Sequence, residues 1–392
     1  MHKSLFKSII QPLRNIKNHR LYKIKNLSRL YAISFSNNSS PISIETALSA
    51  AMRWLCLAQD ITNCGGVSAG YSFKNGWEAA YPETTGYIVE TFYDYAEYLG
   101  NNEFRLRARH MAEWLLSIQT PSGAFQGGPV DVDASPVVFN TGMILFGLVR
   151  AYQEEGDDWF LTAAMNAGDW LCKVQDSDGA WRKYTYKGRV HTYKTRVAWA
   201  LLELYKVSEE SRYLETAKRN LEWAVLQQQE NGFFKHMAFE DETPYTHTIA
   251  YTIRGLLESG LILKDERLFE AASKPAEHLF RHFDLKRSLP GEFDRDWAPL
   301  GKFSCLTGCA QMSIIFSRIY EYSSNIKYLN AVHEINEGLI RAQISLRGDN
   351  AINGAIMGSQ PIWGNYMLYY FPNWAAKFFV DALMSQIGMV AS

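Results

Sequence analysis

Apolar residues along the chain fall into two alternating kinds of segment. One kind ends on Trp, Gln and a glycine-aromatic turn: RWLCLAQDITNCGG from Arg53, EWLLSIQTPSGAF from Glu113, DWLCKVQDSDGAW from Asp169 and EWAVLQQQENGFF from Glu222. In all four, Trp precedes Gln by five positions (Trp54/Gln59, Trp114/Gln119, Trp170/Gln175, Trp223/Gln228), and looser copies start at Glu277 and Glu337. The other kind reads apolar nearly all round, as in GMILFGLVRAY from Gly142. Each such segment opens on a short polar stretch, and five of the six place Thr in one column: Thr85, Thr141, Thr195, Thr248 and Thr307, with Trp374 in the sixth. The column advances by 56, 54, 53, 59 and 67 residues. A threonine at a helix start can satisfy orphan backbone N–H groups, so the column has a structural reason to exist.

Six hairpins of this kind cannot bury their apolar faces singly. Packing against neighbours buries them, and closing the array into a ring removes its two exposed ends. Helices apolar on every side belong inside an outer ring. The pattern therefore predicts an all-α fold, an (α/α)6 toroid over residues 42–392, preceded by a basic amphipathic arm and linker at 1–41.

Composition alters this picture in three ways. Aromatics reach 14%, with 22 Tyr and 11 Trp, which suits a thick helical core or a cleft that stacks sugar rings. A net charge of −1 argues against wholesale nucleic-acid binding. Five dispersed cysteines fit a reducing compartment better than a disulfide scaffold, which points to a cytoplasmic protein, peripheral to a membrane if the arm binds one. The charge is also uneven: the first 44 residues hold eight Lys/Arg, and the first acid is Glu45. Leu21, Ile24, Leu27 and Leu30 recur among those bases at roughly helical spacing. An arm of this kind could lie on an anionic membrane surface, serve as an organelle transit peptide, or be a basic surface helix. No apolar run is long enough for a membrane span.

Residues at and just before the inner-helix starts should face one end of the barrel, where positive helix-dipole ends favour anionic groups. The starts nominate Glu83, Asn140, Lys194, His247, Leu306 and Asn373. The loops leading in supply Trp77, Glu78, Tyr81, Asp131, Asp133, Tyr193, Tyr245, Asp296, Trp297, Trp363 and Tyr366. The opposite end is expected to carry short turns such as TPSGA and DSDGA. Acids, amides and flat aromatic faces together describe a saccharide site. Glu83, Asp131, Asp133 and His247 are the candidate catalytic groups, and the other named residues, apart from Leu306, are candidates for holding substrate. Each has a plainer reading as well: Glu83 as an acid at a helix N-terminus, the aspartates as turn caps, His247 as a satisfied core histidine. Cys305 and Cys309 lack an evident third and fourth metal ligand, and no phosphate loop, dinucleotide fingerprint or nucleophile elbow is present. No cofactor or metal is expected.

The strings GWEAAYPETTGY from Gly76, HTIAYTIRGLLE from His247 and PIWGNYMLYYFPNWAAKFFVDAL from Pro361 resemble the VpsJ-type exopolysaccharide biosynthesis proteins. The repeats are also similar to those of six-hairpin glycosidases, toroid lyases and uronyl epimerases, and the terpenoid cyclase and prenyltransferase toroids. The resemblance implies a polysaccharide or lipid-linked oligosaccharide as partner. For a hydrolase, two of Glu83, Asp131, Asp133 and Asp296 would flank the glycosidic bond, ~6.5–9.5 Å apart for inversion and ~5–5.5 Å for retention. A lyase or epimerase would use His247 or a nearby tyrosine to remove the proton alpha to a uronate carboxylate, with Lys194 or the helix ends holding that carboxylate. A non-catalytic glycan-binding component and a terpenoid cyclase are the alternatives.

Overall fold

A computed structural model describes residues 11–35, 42–132, 134–240, 242–346 and 348–391. Six outer helices (Ile44–Asp60, Asn102–Ile118, Asp158–Lys173, Ser211–Val225, Glu266–Lys286, Ile326–Ala342) alternate with six inner ones. The inner helices are Pro82–Leu99, Val138–Glu155, Thr195–Ser208, Thr246–Leu263, Leu306–Ser323 and Asn373–Ala391. Each inner helix packs on the next, and the last returns to the first, so the chain is an (α/α)6 toroid. The few strands are two or three residues long and sit in the loops. Inner helices are buried on nearly every side because glycines let them approach closely: a Cβ on Gly147 would lie 2.1 Å from the Gly86 carbonyl oxygen of the neighbouring helix.

The repeated glutamine has a mechanical role. Its side-chain amide donates twice, once to the glycine carbonyl of its own turn and once to a carbonyl of the next outer helix. Gln119 reaches Gly123 O at 2.9 Å and Ala163 O at 2.8 Å; Gln175 reaches Gly179 O at 3.0 Å and Thr216 O at 2.9 Å. Gln59 and Gln228 do the same. Gln343 closes the ring, bridging Gly354 O at 3.0 Å to Ala47 O at 2.9 Å. The turn glycines hold positive φ and press on the adjacent outer helix, where a Cβ on Gly123 would meet Asn166 O at 2.3 Å.

Two expectations are corrected here. The turns TPSGA and DSDGA belong to the same connections as the long loops, since both join an outer helix to the following inner one. The opposite end has two-residue links instead: Gly100–Asn101, Gly156–Asp157, Glu209–Glu210, Lys264–Asp265 and Ser324–Asn325. In each the first residue is left-handed, and in four an Asn or Asp then caps the outer helix with its side chain. The threonine column, for its part, does not cap the inner helices. Thr85 and Thr141 accept backbone N–H groups from Val67 and Phe125 at 2.9 and 3.0 Å, tying the glycine-aromatic turns to the inner ring.

The arm helix Ile24–Phe35 is docked on the toroid. Arg29 grips Asp349 through Nε and Nη2 at 2.5 and 2.6 Å and donates to the Tyr71 hydroxyl at 2.7 Å, while Asn26 donates to Phe73 O at 3.0 Å. Among the described residues no helix is long and apolar enough to cross a membrane.

Candidate active site

Long outer-to-inner loops surround a cavity of about 690 Å³ at one end of the barrel. Tyr81, Glu83, Asn140, Tyr193, Tyr245, His247 and Tyr366 line it, joined by Tyr87, Phe139, Tyr251 and Trp374 from the inner helices and by Tyr186 and Phe239 from loops. The size is that of a small-molecule pocket, ~300–1,000 Å³. Its walls are predominantly aromatic. Phe139 packs on Tyr193 and Tyr251 at 5.1 and 5.2 Å between ring centres, and Tyr366 on His247 and Tyr245 at 5.3 Å.

Glu83 is the only carboxyl among the described residues lining the cavity. Pro82 starts the helix and Glu83 lies in its first turn, so the side chain is set at the cavity floor. Burial pushes its carboxyl up to about 7, against the opposing pull of a hydrogen bond from the Tyr81 hydroxyl at 2.8 Å and of the Arg196 charge. Burial also depresses the Arg196 guanidinium, which makes no ion pair among the described residues: rings of Tyr251, Trp199, Phe146 and Phe378 surround it at 4.8–5.6 Å, and Nη1 has no hydrogen-bond partner among them.

His247 stays neutral. Burial, reinforced by Arg196, holds its imidazole down at about 3. The Gln311 side-chain amide lies 2.7 Å from Nδ1 and, donating there, leaves Nε2 to carry the proton. Asn140 is 4% exposed beside the Tyr81 hydroxyl, close enough to counter in part the burial that pushes that phenol up, and its Nδ2 makes no well-formed hydrogen bond there.

Other nominated residues go elsewhere, for definite reasons. Trp77 packs on Trp54 at 5.3 Å, and Glu78 accepts from Ser72 and Asn75 within its own loop. Lys194 is buried and donates to Trp181 O at 2.8 Å, its ammonium pushed down to about 7 by desolvation. Lys194 therefore does not reach the cavity to hold a carboxylate. Trp297 is buried against His278 with its indole N–H on Asn231 O, and Asn373 donates to Ser68 O and Thr84 Oγ1 where the ring closes. Asp131 and Asp296 are exposed, as is Trp363, and none of the three lines the cavity. Asp133 lies outside the described residues. Cys305 and Cys309 are buried thiols pushed up by desolvation, Cys309 to about 12. Among the described residues no three His, Cys, Asp or Glu side chains stand together as a metal site would need.

Tyr186, Lys187 and Phe239, at the mouth, were not nominated. Tyr186 and Phe239 each lie seven residues beyond their turn glycines, Gly179 and Gly232, a spacing that could have pointed to them. Tyr87, Phe139 and Tyr251 sit in inner helices whose apolar character masked them; the helical offsets Glu83 to Tyr87 and His247 to Tyr251 were the available signal.

Solved structures that superpose on this toroid include carbohydrate-active enzymes. An unsaturated glucuronyl hydrolase specific for heparin superposes with a TM-score of 0.72 at 16% identity, covering 89% of this chain and 98% of its own. Cellobiose 2-epimerase from Bacillus thermoamylovorans B4167 gives 0.69 at 13% identity, covering 87% and 97%. An unsaturated glucuronyl hydrolase from Bacillus sp. GL1 gives 0.68 at 15%, covering 87% and 96%. At such identities the likeness establishes the fold. No curated protein sequence matches the chain. Residues 40–283 match the beta-L-arabinofuranosidase, GH127 catalytic domain, a span that contains Glu83, Asn140, Tyr193 and His247 and ends before Tyr366 and Trp374. Matched over more than half its length, the chain belongs to that glycosidase family, on a toroid of the glycoside hydrolase and epimerase kind.

Proposed function

We propose that the protein cleaves glycosidic bonds, with Glu83 as the general acid that protonates the leaving oxygen. The observation that carries this reading is a partly buried carboxyl, half protonated near neutrality, on the floor of an aromatic cavity. Aromatic faces stack on sugar rings, and Asn140 and the neutral His247 offer N–H groups to hydroxyls. Proton transfer of this kind requires no cofactor. Asp133 is the candidate for the second carboxyl that a hydrolase needs, since its neighbours Ala134 and Ser135 line the cavity. The substrate class we favour is a polysaccharide or lipid-linked oligosaccharide, in the setting of extracellular polysaccharide assembly; L-arabinofuranosides, named by the family, are the first small substrates to try.

That Glu83 is the one carboxyl among the described cavity-lining residues favours one further reading, epimerisation by proton removal and return at one sugar carbon. His247, held down at about 3, is too weak a base to serve there, so Glu83 would have to play both parts.

The test is incubation with aryl furanosides, neutral and acidic exopolysaccharides and cellobiose, reading new reducing ends, unsaturated uronate absorbance and epimer ratio. New reducing ends that vanish in E83Q are expected. Epimer formation without cleavage would replace the hydrolase reading. Retained glycan affinity with no turnover in wild type, unchanged in E83Q, would make the protein a glycan-binding component instead.

A further inference from the structure

The arm helix has two faces of opposite use. Leu21, Asn26 and Arg29 are 6% exposed or less and fasten it to the toroid, with Leu30 and Ile33 packed on the core. Turned outward are Ile24 at 86% and Leu27 at 52%, with Tyr31 continuing the three- and four-residue spacing along one stripe, and Tyr22, 60% exposed, stands in the turn before the helix. Lys23 and Lys25 are exposed beside the stripe, and Arg14, Lys17 and Arg20 are exposed in the chain leading up to it; that sequence holds no acid, and Asp349, already gripped by Arg29, is the carboxylate that feels Lys25. Arg29, the sixth base of the described arm, is spent on Asp349. An apolar stripe bordered only by bases is complementary to a surface that is apolar beneath and anionic above.

The fastening points show which way this surface faces. Tyr71, Phe73, Asp349 and Tyr369 all belong to outer-to-inner loops, the loops of the cavity end. Tyr369 meets the His19 ring at 4.8 Å and lies two residues beyond Met367, which lines the cavity.

We propose that the outer face of the arm is a docking surface for an anionic phospholipid membrane, and that docking presents the cavity mouth to saccharides carried on lipid. The second half rests on the saccharide reading of the cavity; the first half does not.

Flotation of the full chain with phosphatidylcholine vesicles, with and without a third phosphatidylglycerol, tests both. Binding is expected only with the anionic lipid and should fall with salt. K23E/K25E should weaken it by at least about thirtyfold, at roughly fivefold per base. I24D/L27D should abolish it without lowering Tm, because both side chains are exposed. R29Q undocks the helix: vesicle binding should persist, while turnover of a lipid-anchored glycan falls relative to the same glycan free in solution. Equal binding to neutral vesicles, or binding unaffected by I24D/L27D, would overturn the membrane surface. If I24D/L27D instead dissociates a dimer that binds no lipid, a second copy is the occupant and the proposal fails. E83Q separates the two readings, since it should stop turnover on either glycan and leave flotation unchanged.

Discussion

The two ends of the toroid are built from the same twelve helices yet differ in kind. At one end the inner-to-outer links have two residues, a left-handed position followed in four of five by an Asn or Asp cap. Nothing longer is needed to reverse a chain between antiparallel helices. At the other end five of the six connections carry a glycine turn clamped by a glutamine, and all six have an additional stretch of chain that varies from hairpin to hairpin. The clamp holds the rim at fixed radius, and the variable stretch supplies the mouth with aromatic rings such as Tyr186, Phe239 and Tyr366. Rigid rim and adaptable mouth thus occur in the same loops, so a defect in the rim should lower stability while a defect in the mouth should lower turnover.

The strongest test of that separation is E83Q. It should reduce kcat by about 10²- to 10⁴-fold, read with the first substrate found, while the fold persists. The same variant has a pH signature. A folded carboxyl that titrates near 7, above its ordinary value of 4.5, favours the fold at low pH, and that contribution is lost as pH rises through about 7. Chemical denaturation should therefore show wild type losing stability relative to E83Q between about pH 4.5 and 7, by at most about 3 kcal/mol. Acting as an acid, Glu83 should also make kcat/KM fall above about pH 7; a rise there would assign it the base's role.

Rim defects come next. Gln343→Ala removes both hydrogen bonds that close the ring and leaves the buried carbonyls of Ala47 and Gly354 short of a donor. A loss of about 2–4 kcal/mol by denaturant titration is expected, with kcat little changed in the protein that remains folded. Arg196→Met removes the buried positive charge that favours ionised Glu83, so the limb near pH 7 should move to higher pH. Asn140→Ala should have the smallest effect, raising KM by about tenfold with little change in Tm, since Nδ2 has only a poorly formed contact with the Tyr81 hydroxyl to lose.

The same division explains what was legible from the amino-acid order alone. Gln and Gly recur because each makes a backbone contact repeated around the ring, and repeated contacts demand repeated spacing, while the threonines bond differently from copy to copy; six hairpins and their inner-helix starts followed from that repeat. Which side chains enter the cavity did not. Glu83, Asn140 and His247 are turned inward by their place at helix starts, but Lys194, at an equivalent start, satisfies the Trp181 carbonyl, and Asn373 is used by the closure of the ring. Trp77 and Trp297 fill space beneath their own loops. An aromatic loop residue packs inward or faces the ligand according to tertiary neighbours that no repeat encodes.

One hairpin departs from the rule. The fifth outer helix, Glu266–Lys286, has no glutamine at its end, and its junction with the sixth is held instead by Glu277 accepting from Lys327 and Tyr328 at 2.9 Å. Beside it a crevice of about 110 Å³ runs between Phe283 and Leu339. A ring with one unfastened link has a preferred place to part: under mild denaturant, hydrogen exchange and proteolytic nicking should begin around residues 287–305, splitting off the sixth hairpin before the other five let go.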